Sequence, residues 1–169
     1  MQATDFDRYI DECERRLESE SLRPVMEECL EQGLAGERYM FQTQTAPDGE
    51  VWPRRTHGTS QHPILNLTGA LMAAATGGPG SVREVGDRYC VWGVRKQAFG
   101  SLAGAKVHQY GAVIRPRVKR LLSWVTDGVR YFAKQVTIPA RPYVGLPLEY
   151  KENCREIIGQ GTHEKVFQR

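Results

Sequence analysis

Four cysteines and four histidines are the side chains of this chain best equipped to act as nucleophiles, bases or metal ligands. Cys13, Cys29, Cys90 and Cys154 stand far apart with no Cys-x-x-Cys pair, and His57, His62, His108 and His163 lie at no metal spacing from any of them. A structural zinc site draws on closely spaced ligand pairs. The cysteines therefore read as reduced thiols, with Cys13 and Cys29 serving as small apolar residues on a helix face. A Gly-x-Ser-x-Gly nucleophile elbow and a His-Glu-x-x-His zinc helix are both missing from the sequence. Glu149, Glu152 and Glu156 share helical spacing, the pattern of a solvated helix face. The run from Gly100 to Lys106 has the glycines of a phosphate loop without its Gly-Lys-Ser/Thr ending. His108 has the chemistry of a general base, but beside Gln109 and Tyr110 it reads as a hydrogen-bonded structural residue. Cys90, between Tyr89 and Val91, reads as a buried strand residue. These residues point away from an enzyme and imply no metal and no cofactor.

A different stretch is more demanding. Val136 to Leu146 reads VTIPARPYVGL, placing Arg141 between Pro139 and Pro142. Each proline fixes φ, lacks an N–H and forces the preceding residue into an extended conformation. The chain should leave a strand at Ile138, cross as a stiff connector, and enter a helix near Pro147. Arg141 is then held with little backbone freedom, so its guanidinium loses less entropy on meeting a carboxylate or a carbonyl. Its partner lies either within its own domain, the acidic first helix included, or on a neighbouring subunit.

The elements around this stretch follow from periodicity. Phe6, Ile10, Cys13 and Leu17 mark one helix face, and Leu22, Val25, Met26, Cys29 and Leu30 a second. Residues 5–18 and 22–33 read as two helices or one broken helix, ended by Gly33 and Gly36. Ala46 to Trp52, with Pro-Asp-Gly at its centre, is a tight turn. Pro53 to Pro63 reads as a polar surface loop, and Gly69 to Ala75 as a short helix. The segment from Val82 to Val94 suggests one or two strands. Residues 95–107, rich in glycine and alanine, read as a mobile loop or a small-residue contact at Gly100 and Gly104. Val118 to Phe132 suggests a hairpin turning at Thr126-Asp127-Gly128. Leu148 to Ile158 reads as the last helix, closed by Gly159 and Gly161. The fold class is α+β: an N-terminal helix or broken helix pair, a small, mostly antiparallel β-sheet with long loops, and a C-terminal helix. One domain spans 1–169, comprising an acidic helical segment over 1–37, a body over 38–158 and a flexible tail over 159–169.

Charge is distributed unevenly. Residues 1–37 carry eleven acidic and four basic side chains, and residues 38–169 carry nine and nineteen, for an overall net of +3. An acidic head on a basic body can bind itself, a neighbouring copy or a polyanion. Apolar residues make up 40% of the chain and charged residues 25%, ordinary for a globular domain with a real core. No apolar run approaches the roughly 20 residues that cross a bilayer, and the acidic, polar start is no secretory signal. A protein assembled in the cytoplasm, without membrane contact, is expected.

An ordered set of motifs completes the reading. After the N-terminal helix come Phe41, the turn Pro47-Asp48-Gly49 leading to Trp52-Pro53, and Leu65-Asn66-Leu67-Thr68-Gly69 with Leu71. Then follow Val85-Gly86-Asp87 with Tyr89, His108-Gln109-Tyr110-Gly111, and Ile138-Pro-Ala-Arg-Pro-Tyr-Val-Gly-Leu146. Over roughly 38–158 this series resembles the phage virion morphogenesis family, the Mu-type tail completion proteins. One departure is local: Cys90 stands where the family has alanine, and the stretch from Cys90 to Val107 intervenes before the His-Gln motif. The resemblance implies a non-catalytic structural protein of the head–tail junction, completing or terminating the tail and joining it to the filled head. It implies a ring of identical subunits, sixfold as a rule, between a tail tube or tail terminator protein and a head-side connector or stopper protein. DNA would pass transiently through its channel. The nearest alternatives are a capsid-assembly or head-closure protein and, from another class, a nucleic-acid-binding module. Candidate interface residues are Arg141, Tyr143, His108, Gln109, Tyr110, Trp52, Lys96 and Lys106.

Overall fold

A computed structural model describes residues 3–55, 62–66, 68–95 and 103–167. The helices are α1 (Ala3–Ser19), α2 (Arg23–Thr43), α3 (Ala70–Ala75), α4 (Ala103–Tyr110) and α5 (Leu148–Phe167). The strands are β1 (Ser81–Val85), β2 (Cys90–Val94), β3 (Ala112–Ile114), β4 (Leu122–Thr126), β5 (Val129–Ala133) and β6 (Val136–Ile138). This is the expected α+β class, with a helix pair at the start and a helix at the end. The β structure comes as three separate antiparallel ribbons, β1–β2, β3–β6 and β4–β5. Val85 faces Cys90, Ala112 faces Ile138, and Thr126 faces Val129 in the three registers.

Helix α2 is the axis. It packs against α5 on one side and against α3, β1 and β2 on others. Pro24 sits in its first turn, where the missing N–H costs nothing. Gly33 and Gly36 were expected to end this helix, yet it runs on to Thr43 and closes with Gln44 in a left-handed conformation. The glycines instead create close approaches. A Cβ on Gly33 would lie 2.6 Å from the Trp92 ring, and one on Gly36 3.0 Å from Pro147. Tertiary packing thus outweighs the low helix propensity of glycine. The same correction applies at the other end of the chain. Gly159 and Gly161 do not close α5, and the segment expected to be a flexible tail, 159–169, is helical as far as Phe167. Gly161 lets α5 lie directly against Val25, while Val166 is buried at the end of α5.

Two apolar clusters result. Leu22, Val25 and Met26 pack with Val85, Cys90 and Ile157. Met40, Phe41, Ala46, Trp52, Ala75 and Tyr143 form the other, at the C-terminal end of α2. Cys29 and Cys154 are free, buried, and each donates its thiol to the other's carbonyl across 3.8 Å. Burial pushes the Cys29 thiol up to about 12 and also raises Cys90 and Cys154. Glycines in similar helical settings should therefore respond oppositely to a methyl group. Gly33→Ala should cost about 1–3 kcal/mol through overpacking against Trp92. Gly159→Ala, with nothing within 4 Å of its Cβ, should gain about 0.5–1 kcal/mol from helix propensity. Urea denaturation of both variants checks the pair.

Candidate functional site

The motifs that stand in order along the sequence meet in space, around the connector from Pro139 to Pro147. This connector has three prolines and cannot pair as a strand, so its remaining backbone groups need other partners. Gln109, on α4, supplies three of them. Its Oε1 accepts the N–H groups of Tyr143 and Val144 at 3.0 and 3.1 Å, and its Nε2 donates to the Val144 carbonyl at 3.1 Å. The Arg141 N–H donates to the His108 carbonyl at 2.6 Å. Gly111 closes α4 at φ 72°, and a Cβ there would meet the Ala140 nitrogen at 2.9 Å. The His-Gln-Tyr-Gly motif is thus the surface on which the connector lies.

The Pro-Asp-Gly turn holds the connector from the other side. Asp48 Oδ1 accepts the Glu50 N–H at 3.0 Å, and Gly49 takes φ 88°. The turn brings Trp52 inward, where its indole N–H donates to the Pro142 carbonyl at 2.9 Å. Phe41 meets the Trp52 ring edge-on with centroids 5.4 Å apart, and the Tyr143 ring is tilted against Phe41 at 6.1 Å. Pro47 abuts Gly145 so closely that a Cβ there would sit 2.5 Å from Pro47 Cγ. The Tyr143 hydroxyl donates to the Ala105 carbonyl at 3.1 Å, and burial pushes its pKa up to about 12.

Arg141 is only 5% exposed. Its Nε donates to the Pro53 carbonyl at 2.8 Å and its Nη2 to the Arg54 carbonyl at 3.3 Å. The partner is therefore internal and made of backbone carbonyls, not a carboxylate of the acidic first helix. Among the candidate interface residues, Arg141, Tyr143 and Trp52 are buried in this chain, and His108 and Gln109 are half-buried. Lys106 and the 73%-exposed Tyr110 face outward from α4. Lys96 lies outside the described residues, as do His57 and residues 96–102 of the expected loop. The end of that loop, from Ala103, is helical rather than irregular.

His108 Nδ1 is buried without a hydrogen-bond partner, and burial together with the Arg141 and Arg55 cations holds its pKa below the usual histidine range. A half-buried imidazole held toward its neutral form by nearby cations suits a structural role. Glu37 is the residue that sequence reading passed over. It is 0% exposed on α2, neither of its oxygens has a hydrogen-bond partner, and burial pushes its pKa up to about 8, moderated by the nearby Trp92 indole. The only hint was an acidic residue at helical spacing from Gly33, Met40 and Phe41. Among the described residues, no group of His, Cys, Asp and Glu gathers where it could hold a metal ion. None of the described helices is long and apolar enough to cross a membrane. A surface groove between α2 and β1 contains Arg23, Glu27, Glu31 and Arg83, whose charges pair with one another, Arg23 with Glu27 and Arg83 with Glu31.

A buried arginine holding backbone carbonyls, aromatic residues locked edge to face, and a glutamine standing in for a strand together make a structural knot. Comparison with known proteins agrees with that class. The model of the phage virion morphogenesis family matches residues 2–161, and the chain belongs to that family. Searches of curated proteins and of solved structures found no match.

Two outcomes follow. Arg141→Ala should cost about 3 kcal/mol, because the Pro53 and Arg54 carbonyls lose a charged donor and a buried side chain is removed, and lower the melting temperature by about 6–12 °C. Arg141→Lys should recover little of this, since an ammonium lacks the planar fork. Calorimetry reads both. Glu37 should make stability fall with rising pH. Its folded carboxyl keeps its proton to about 8, against an ordinary value of 4.5, so its contribution is complete below the lower value and is lost by the upper. The stability of Glu37→Gln minus that of the parent should therefore climb by a few kcal/mol across that window in urea titrations at stepped pH.

Proposed function

We propose that this chain is a structural subunit of the phage neck, acting as a ring of identical copies that completes or terminates the tail and joins it to the DNA-filled head. The observation that carries this reading is the agreement between family membership over nearly the whole chain and the use made of the chain's reactive residues. The arginine, glutamine, tryptophan and Tyr143 side chains of the signature motifs hold backbone in place. The reading is of a scaffold and not of a catalyst. Opposite charge on the head and body supports contacts between copies. A channel that passes DNA is poorly served by tight phosphate binding, whose affinity grows with every neutralised phosphate. The basic side chains are accordingly assigned mainly to protein contacts, with a tail tube or terminator protein on one face and a head-side connector or stopper on the other. The assembled position is the head–tail junction of the virion.

Electron microscopy of particles made by a phage with an early stop codon in this gene tests the reading. Full heads lying beside separate tails are the expected result. Empty or leaking heads with normal tails would move the protein to head closure. Intact infectious particles would overturn the structural role and favour nucleic-acid binding by the basic body.

A further inference from the structure

Among the described residues, two elements present rows of exposed apolar side chains beside dense charge. The first is the β4–β5 ribbon. Its turn uses Asp127 and Gly128 at φ 52° and 76°, the paired positive values of a tight hairpin. Trp124 and Tyr131 stack on one face with centroids 5.7 Å apart, stiffening the arm. On the other face Val125 and the 61%-exposed Phe132 lie in solvent, with Val118 and Leu121 leading into the ribbon also exposed. Among the described residues, β4 and β5 pack extensively only on each other. A two-stranded ribbon with so little support is marginal on its own. Residues 115–134 also carry six cations, Arg115, Arg117, Lys119, Arg120, Arg130 and Lys134, against one acid, and all six are exposed.

The second element is α1. Phe6, Ile10, Cys13 and Leu17 form a row along the helix, and Asp7, Asp11, Glu14 and Glu18 form a parallel row one residue later. Phe6 is 54% exposed, Ile10 and Leu17 are also exposed, and so are all four acids. The helix is nonetheless anchored. It packs on α5, and Arg88 Nη2 donates to the Leu17 and Glu18 carbonyls at 2.5 and 2.7 Å.

We infer that the β4–β5 arm of one copy docks along α1 of the next, its apolar face on the row from Phe6 to Leu17 and its cations against the row from Asp7 to Glu18. The occupant is a second copy of this chain because each surface has what the other lacks: apolar side chains on both, beside cations on one and carboxylates on the other. DNA would meet the cations but leave the arm's apolar face and all of α1 uncovered. Since the two surfaces differ, the contact is heterologous and generates a ring when its rotation closes. The docking rests on the ring reading above and names its interface.

Sedimentation velocity at low salt tests this with two charge-reversed proteins. One carries Arg117→Glu, Lys119→Glu and Arg120→Glu, and the other Asp11→Lys, Glu14→Lys and Glu18→Lys. All six positions are exposed, and circular dichroism with thermal melting verifies that both proteins fold. Each alone should associate at least roughly tenfold more weakly than the parent. A one-to-one mixture should recover association, because each reversed surface finds its complement, as should one chain carrying all six changes. A parent that associates while both variants match it, or a mixture with no recovery, would overturn the docking and leave the ring standing. Loss of binding to random DNA with unchanged association would reassign the arm to nucleic acid. A parent that stays monomeric would overturn the ring and the docking together.

Discussion

Everything at the C-terminal end of α2 depends on a single constraint: a connector with three prolines must be buried without the help of strand pairing. Pro139, Pro142 and Pro147 remove N–H groups and block a ladder, while burial demands that the remaining polar atoms be bonded. Gln109 meets that demand with one carboxamide that accepts twice and donates once. Arg141 and Trp52 then tie the Pro47–Arg54 segment to the same connector through its carbonyls. Residues distant in sequence are thereby held by side chain–backbone bonds rather than by a shared sheet. This explains how three small ribbons coexist without merging.

The second constraint is the close packing of α2. Gly33 accommodates Trp92, Gly36 accommodates Pro147, and Gly161 brings α5 against Val25. Each approach needs a residue without a Cβ, at some cost in helix propensity. Glu37 shares this crowded face and must keep its proton to remain there at neutral pH. An apolar side chain of the same shape would remove that cost.

Periodicity and turn chemistry made much of this visible in advance. The stripe from Phe6 to Leu17, the Asp127-Gly128 hairpin and the entry to α5 after Pro147 all lie where the sequence places them. Glycine reads as a helix end at Gly33, Gly36 and Gly161, where it instead serves close contact with neighbours remote in sequence, and at Gly159, an open position that the helix simply passes through. Helix α4 reads as loop because its small residues carry a weak local signal, and its position is set by Gln109 and Tyr143. The signature motifs were legible as a set, but not their roles. Proline spacing shows that Arg141 is held rigidly, and only the fold reveals that the Pro53 and Arg54 carbonyls hold it. Glu37 had only its helical spacing from Gly33, Met40 and Phe41 as a signature.

The division of labour in the molecule is therefore between a knot that faces inward and two elements, α1 and the β4–β5 arm, that face outward. The signature residues build the former, and the contact proposed between copies falls on the latter. Hydrogen exchange on the dilute, unassembled chain tests the central claim most directly. The amides of Arg141, Tyr143 and Val144 should exchange only by global unfolding, as slowly as the amides in the middle of α2. Fast exchange there, while α2 remains protected, would show that the connector is not fastened within the subunit and would contradict the account.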